Sequence, residues 1–174
     1  MTTATRPLLL ALTVATLAAG CGGSHPSAAP TTTTDATATS TQTSQATLKA
    51  AVRTALHANL KLSLYVLWHN KVPQWATQST RGPALKALRT SAAARRRQGI
   101  QIKNLRGHAT IISIQLAPSY STATAEVRDT RSVAPYKKGH RLGRAIVGTD
   151  HSRVQLHRLG NTERFIVWNV SPIR

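Results

Sequence analysis

The sequence predicts an α+β domain in which two N-terminal helices pack on a curved antiparallel sheet. Three observations predict it. Between Thr47 and His69, Leu48, Val52, Leu56, Leu60 and Leu64 recur at about helical spacing, with Ala51, Ala55 and Leu67 beside them. A second stretch, opened by Gly82-Pro83 and stopped by Gly99, carries Leu85, Leu88 and Ala92 on one face. From Ile100 onward the apolar period falls to two, the signature of half-buried strands.

The first helix keeps Lys49, Arg53 and Lys61 mostly off its apolar stripe; Asn70 can close it and Pro73 prevents its continuation. Trp68 and Trp75 flank this break, near Tyr65. Packing at the hinge is the reading the sequence favours for these aromatics; the sharper alternative places Tyr65, Trp68 and Trp75 around the mouth of a pocket. The second helix suits Pro83 in its first turn, where the missing N–H has no helical partner in any case. It ends in Arg95-Arg96-Arg97 before Gly99. Cations in a last turn interact favourably with the helix dipole, by about 0.3–1 kcal/mol each at a surface. That accounts for the arginines structurally; a contact patch for anions is the functional alternative.

The strands follow in order. Ile100 and Ile102 alternate with Gln101 and Lys103, and Ile112, Ile114 and Leu116 with Ser113 and Gln115. Ala123, Ala125 and Val127 alternate with Thr122, Thr124, Glu126 and Arg128. Arg144 to Leu159 offers Ile146, Val154 and Leu156 on one face, and Phe165 to Val170 forms the last strand. Turns are expected at Gly107-His108, Pro118-Ser119, Lys137-Lys138-Gly139 and Gly160-Asn161, which makes the sheet a meander.

Upstream of the domain the chain changes character. Residues 1–20 have the form of a secretory leader, with Arg6 as its positive end and Leu8 to Leu17 as its apolar run, too short for the roughly 20 residues of a membrane span. Ala18-Ala19-Gly20-Cys21 resembles the lipobox of bacterial lipoproteins. The resemblance implies that the leader is removed before Cys21, that its thiol carries a diacylglycerol, and that a palmitate-type anchor holds the protein on the extracytoplasmic face of the cell membrane. Each buried methylene contributes about 0.8 kcal/mol, and two chains give stable attachment where one does not. An ordinary secreted protein with a chance cysteine is the alternative. Residues 21–45, rich in Thr, Ser and Ala, read as a disordered tether, and 46–174 as one domain. Cys21 is the only cysteine, so the domain has no internal disulfide, thiol nucleophile or thiolate metal ligand.

Two helices followed by an antiparallel sheet that ends in a Trp-containing strand is similar to the NTF2-like (cystatin-like) cone, and to small actinobacterial exported proteins of that fold. The stretches that carry the resemblance are Gly82-Pro83-Ala84-Leu85, Gly99-Ile100-Gln101-Ile102, Leu116-Ala117-Pro118-Ser119-Tyr120 and Phe165-Ile166-Val167-Trp168-Asn169-Val170. It implies either an isomerase or dehydratase with an Asp or His in the cone, or a non-catalytic binding or assembly domain; fold does not choose between them.

Charge narrows the choice. The chain has 23 Lys+Arg against 5 Asp+Glu, a net of +18, and losing Arg6 to the leader and Asp35 to the tether leaves the domain's net charge unchanged. Most cations therefore lack an internal partner and look outward, to anionic lipid, an envelope polymer or an acidic envelope protein. The domain's carboxylates, Glu126, Asp129, Asp150 and Glu163, sit among cations and are poor material for a general base. Asp150-His151-Ser152 holds the residue types of a hydrolase triad, but strand alternation sends neighbours to opposite faces. The histidines show no metal-ligand spacing, no phosphate-binding glycine loop is present, and no cofactor is implied. Nucleic acid is disfavoured: aromatics for base stacking make up only 4 % of the chain.

The sequence thus favours a lipid-anchored envelope module that binds or scaffolds rather than catalyses, with Arg95, Arg96, Arg97, Lys137, Lys138 and Arg141 as the anionic contact. Two alternatives remain: a small-ligand carrier or enzyme with a cone pocket, and a subunit of a secretion or DNA-transfer complex.

Overall fold

A computed structural model describes residues 35–174, with side chains from Gln45 onward. The leader, Cys21 and the tether up to residue 34 lie outside the described residues. Two helices, α1 (Asp35–His69) and α2 (Gly82–Gln98), precede five strands: β1 (Ile100–Leu116), β2 (Thr122–Lys137), β3 (His140–Arg141), β4 (Ile146–Arg158) and β5 (Phe165–Pro172). All strand pairs are antiparallel, in the order β1-β2-β4-β5, with the short β3 paired to β2.

Helix α1 begins at Asp35 rather than Thr47, inside the Thr/Ser/Ala-rich segment. Extending an established helix adds residues without the unfavourable nucleation step, so weak helix formers can follow it. At the end of that segment Gln45 Nε2 donates to Tyr120 Oη at 3.0 Å, tying the helix to the β1–β2 turn. The buried seam of α1 runs Leu48, Val52, Ala55, Leu62 and Val66, with Leu56 buried beside it, while Leu60 and Leu64 are only half-buried. A strict four-residue spacing drifts around a helix of 3.6 residues per turn, whereas alternating steps of four and three stay on one face. Asn59 occupies the missing step of this seam and donates to Thr80 Oγ1 at 2.8 Å. It lies between two apolar clusters, one centred on Val52, Ala125 and Leu156, the other on Leu62, Val66 and Leu85.

The end of α1 is closed as its sequence foretells. Asn70 takes a left-handed conformation (φ 51°), and its N–H donates to Val66 O at 3.0 Å. Residues 79–81 then run beside β5: Val167 N–H donates to Ser79 O and Arg81 N–H to Val167 O, each at 2.9 Å, which covers part of that edge. Gly82 follows with φ 56°, and a Cβ there would sit 2.7 Å from the Trp168 ring. Glycine thus serves both the backbone angle and the close approach of the indole. At the other end of α2, Gly99 (φ 67°) is the left-handed stop that the sequence predicts.

Both helices pack on the same face of the sheet, an α+β layout, and strand β1 differs from expectation. It passes through Gly107-His108 without the predicted turn, pairing Gly107 with Arg131 and His108 with Thr130. The glycine there makes room: a Cβ would meet Asn104 Nδ2 at 3.2 Å and Arg131 Cγ at 3.3 Å. Register shifts near Asn104 and Ile111 bend the strand. The remaining turns fall where predicted, and Lys138-Gly139, with φ of 49° and 81°, makes a two-residue hairpin between Lys137 and His140. Edge strands β1 and β5 do not pair with each other, so the sheet stays open and is not curled into the cone that the NTF2-like resemblance implies.

Candidate functional site

Two regions gather chemistry: a basic end and a cleft. The basic end is assembled by register. Helix α2 finishes in Arg95-Arg96-Arg97, Gly99 turns the chain, and β1 starts at once with Ile100 opposite Lys137. Lys137 Cε passes 3.8 Å from where a Cβ on Gly99 would be. The hairpin then places Lys138, His140 and Arg141 beside them, with Arg141 opposite Tyr136. Arg96, Arg97, Lys137, Lys138 and Arg141 are all exposed. Among the described residues the ion pairs are Arg131–Asp129 and Arg153–Glu126, so none of these five cations has a carboxylate partner there.

Arg95 departs from the set. Its Nε donates to Asn70 Oδ1 at 3.0 Å, its Nη2 to Val66 O at 3.2 Å, and its Nη1 to Ser91 Oγ. Asn70 is buried and donates in turn to Ile100 O at 2.6 Å. Arg95 is thus a clamp between the ends of α1 and α2 and the start of β1, and its burial lowers the guanidinium pKa from its ordinary value by desolvation.

The cleft lies between α1, α2 and the inner face of the sheet, with a volume of about 430 Å³. Its floor is graded along the strands. Val154, opposite Ala125, lies at the apolar end, followed by Val127 opposite Ser152, Asp129 opposite Asp150, and last Arg131. Helix residues Leu56, Leu60 and Leu88 supply the apolar walls. Asp129 and Arg131 form an ion pair and are each largely buried, with side-chain exposures of 17 % and 20 %. Asp150 is exposed and has no ion pair among the described residues.

The aromatics proposed for a pocket mouth do not line this cleft. Tyr65 packs on His69, 4.2 Å between ring centroids, and edge-on to Trp75 at 5.9 Å. Trp68 meets Tyr136 edge-on at 5.8 Å, with Lys103 Nζ 6.0 Å above its ring. Trp75 borders a second depression, on another side of α1 beside Ala55, Lys61 and Phe165. Packing explains Tyr65 and Trp68. The cleft residues Asp129, Asp150 and Ser152 were instead readable from parity: Asp129 shares that of Ala125 and Val127, and Asp150 and Ser152 that of Val154 and Leu156. Following the alternation of the second strand only as far as Arg128 leaves out Asp129, because β2 continues to Lys137.

Alternation also separates the triad-like trio. Asp150 and Ser152 border the cleft, whereas His151 does not, and its Nε2 is buried without a hydrogen-bond partner. His157 stacks on Trp168 at 4.7 Å, with an interplanar angle of 8°. Among the described residues no group of three His, Cys, Asp or Glu side chains could hold a metal ion, and no helix is long and apolar enough to cross a membrane.

No family model matches the chain, and no curated protein matches it. Among solved structures it is similar to the intermembrane-space region of the chloroplast protein ARC6, with a TM-score of 0.60 at 13 % identity, covering 70 % of this chain and 93 % of that one. A conserved protein from Planctomyces limnophilus DSM 3776 aligns with a TM-score of 0.42 at 19 % identity, over 72 % and 97 % of the two chains. The likeness to the ARC6 region is one of fold: helices packed on an antiparallel sheet.

Proposed function

We propose that this chain is a lipid-anchored module of the cell envelope, held by acylated Cys21, whose basic end docks on an anionic membrane surface without catalysis. The observation that carries this reading is the convergence of Arg96, Arg97, Lys137, Lys138 and Arg141, far apart in sequence and all exposed, on one end of the domain. A cation near an anionic membrane surface contributes roughly 1 kcal/mol. Four of them are worth about a thousandfold in partitioning, since each 1.4 kcal/mol is tenfold. The lipobox supports the anchor, and the order of two helices then an antiparallel sheet supports an NTF2-like relationship, in an uncurled form.

The test is vesicle co-sedimentation of the chain bearing Cys21→Ser, which removes the acyl attachment. Anionic vesicles should recover it at low salt, neutral ones should not, and replacing Arg96, Arg97, Lys137 and Lys138 by Glu should abolish recovery. Equal recovery on both vesicle types sinks the idea. Retention by an envelope polymer or by an acidic envelope protein, with none on vesicles, would reassign the surface. A second reading, a carrier of small ligands, is favoured by the cleft alone.

A further inference from the structure

The cleft has the makings of a directional binding site, and its chemistry points to one class of occupant. Its volume of about 430 Å³ falls within the range of small-molecule pockets. Apolar residues form one end, with Leu56, Leu60, Leu88 and Val154, and charged ones the other. A molecule filling it would lay an apolar body between α1 and α2 and present a polar group near Asp129, Asp150 and Arg131.

The sign of that group follows from which charges are already satisfied. Arg131 is ion-paired with Asp129. Arg95, on the α2 side, is engaged with Val66 O, Asn70 and Ser91. His57, on α1, is exposed at the border. Asp150 remains, directly opposite Asp129 in the strand register and without an ion pair among the described residues, in a chain of net charge +18. Like charges opposite each other across a strand pair are destabilising. Nothing crowds this end either, for a Cβ at the neighbouring Gly148 would meet no atom within 4 Å. An incoming cation would relieve the repulsion, and an incoming carboxylate would add to it.

Resting on the small-ligand reading of the cleft, we propose that it binds an amphipathic molecule with a cationic nitrogen, its apolar body between the two helices and its ammonium group at Asp150. Because Asp150 is exposed, solvent screens the contact, and the charge decides selectivity more than affinity.

The experiment uses three probes of equal chain length, octylammonium, octanol and octanoate, titrated at physiological ionic strength into the chain bearing Cys21→Ser. Amide NMR shifts report both site and affinity. Octylammonium should shift the amides of Ala109, Val127 and Ser152 and bind about three- to fivefold more tightly than octanol, in keeping with an exposed ion pair. Asp150→Asn should erase that preference while leaving octanol binding as it was. Ala87→Trp, a change on the exposed face of α2 that fills the cleft, should abolish binding of all three with the spectrum otherwise preserved. Octanoate binding in the cleft as tightly as octylammonium would overturn the proposal, as would a preference that survives Asp150→Asn. If octanol binds there and octylammonium gains nothing, the charge assignment fails and the carrier reading stands. If no probe shifts the cleft amides, both fail.

Discussion

Arg95 and Arg96 are neighbours in sequence with different surroundings: Arg95 is hydrogen-bonded to Asn70, Ser91 and Val66 O, and Arg96 is exposed. Arg95 → Met keeps the aliphatic stem but deprives the buried Asn70 Oδ1 of its donor. An unsatisfied buried polar group costs about 1–3 kcal/mol. Urea denaturation should show a loss of that order, while recovery on anionic vesicles stays unchanged; the reverse pattern would put Arg95 in the contact surface. Burial lowers its pKa, so folding disfavours the charged form, and stability from this term rises with pH only in the alkaline range where arginine titrates. Gly82 gives a second test. Gly82→Ala meets both a left-handed backbone and a ring 2.7 Å away, whereas Gly143→Ala, at φ 72°, meets the backbone penalty in open space. The backbone term is about 1–2 kcal/mol and overpacking adds about 1–3. Gly82→Ala should therefore be clearly the more destabilising by thermal melting, and should alter the near-ultraviolet signal of Trp168; equal losses would contradict the packing.

Among the elements, the β2–β3 hairpin bears on both stability and the proposed docking. Lys138 sits at φ 49°, where asparagine is better tolerated than lysine. Lys138→Asn should raise the melting temperature, by part of the roughly 1–2 kcal/mol that the left-handed region costs an ordinary side chain, while lowering recovery on anionic vesicles by removing one cation. Movement of both in the same direction would argue against the turn or the surface. Helix α2 was legible almost whole, because Gly82-Pro83 and Gly99 act on backbone angles within their own neighbourhood. Strand β1 was less so. The glycine that reads as a turn at position 107 is a space for the side chains of Asn104 and Arg131, a requirement set by residues it does not adjoin in sequence.

For the whole molecule, the dominant quantity is a net charge of +18 with two ion pairs among the described residues. Such a chain repels itself, and salt shortens the reach of that repulsion from a Debye length of about 30 Å at 0.01 M to 8 Å at 0.15 M. Adding sodium chloride over this range should raise the melting temperature; a fall would mean that the fold leans on ion pairs absent from this structure. The same screening should weaken the proposed docking on anionic vesicles, so stability and recovery are expected to move oppositely with salt.

The class of fold, the start and stop of α2, three of the four turns and the net charge can be read from local periodicity, local backbone chemistry or composition. Which charges meet depends instead on contacts between distant parts of the chain. Register across β2 and β4 set Asp129 against Asp150, and the return of β2 to the end of α2 brought Lys137 to Arg96 and Arg97 while Arg95 turned inward to Asn70. Pairings between strands join positions that no local pattern links, and a shift of one residue sends every side chain to the other face.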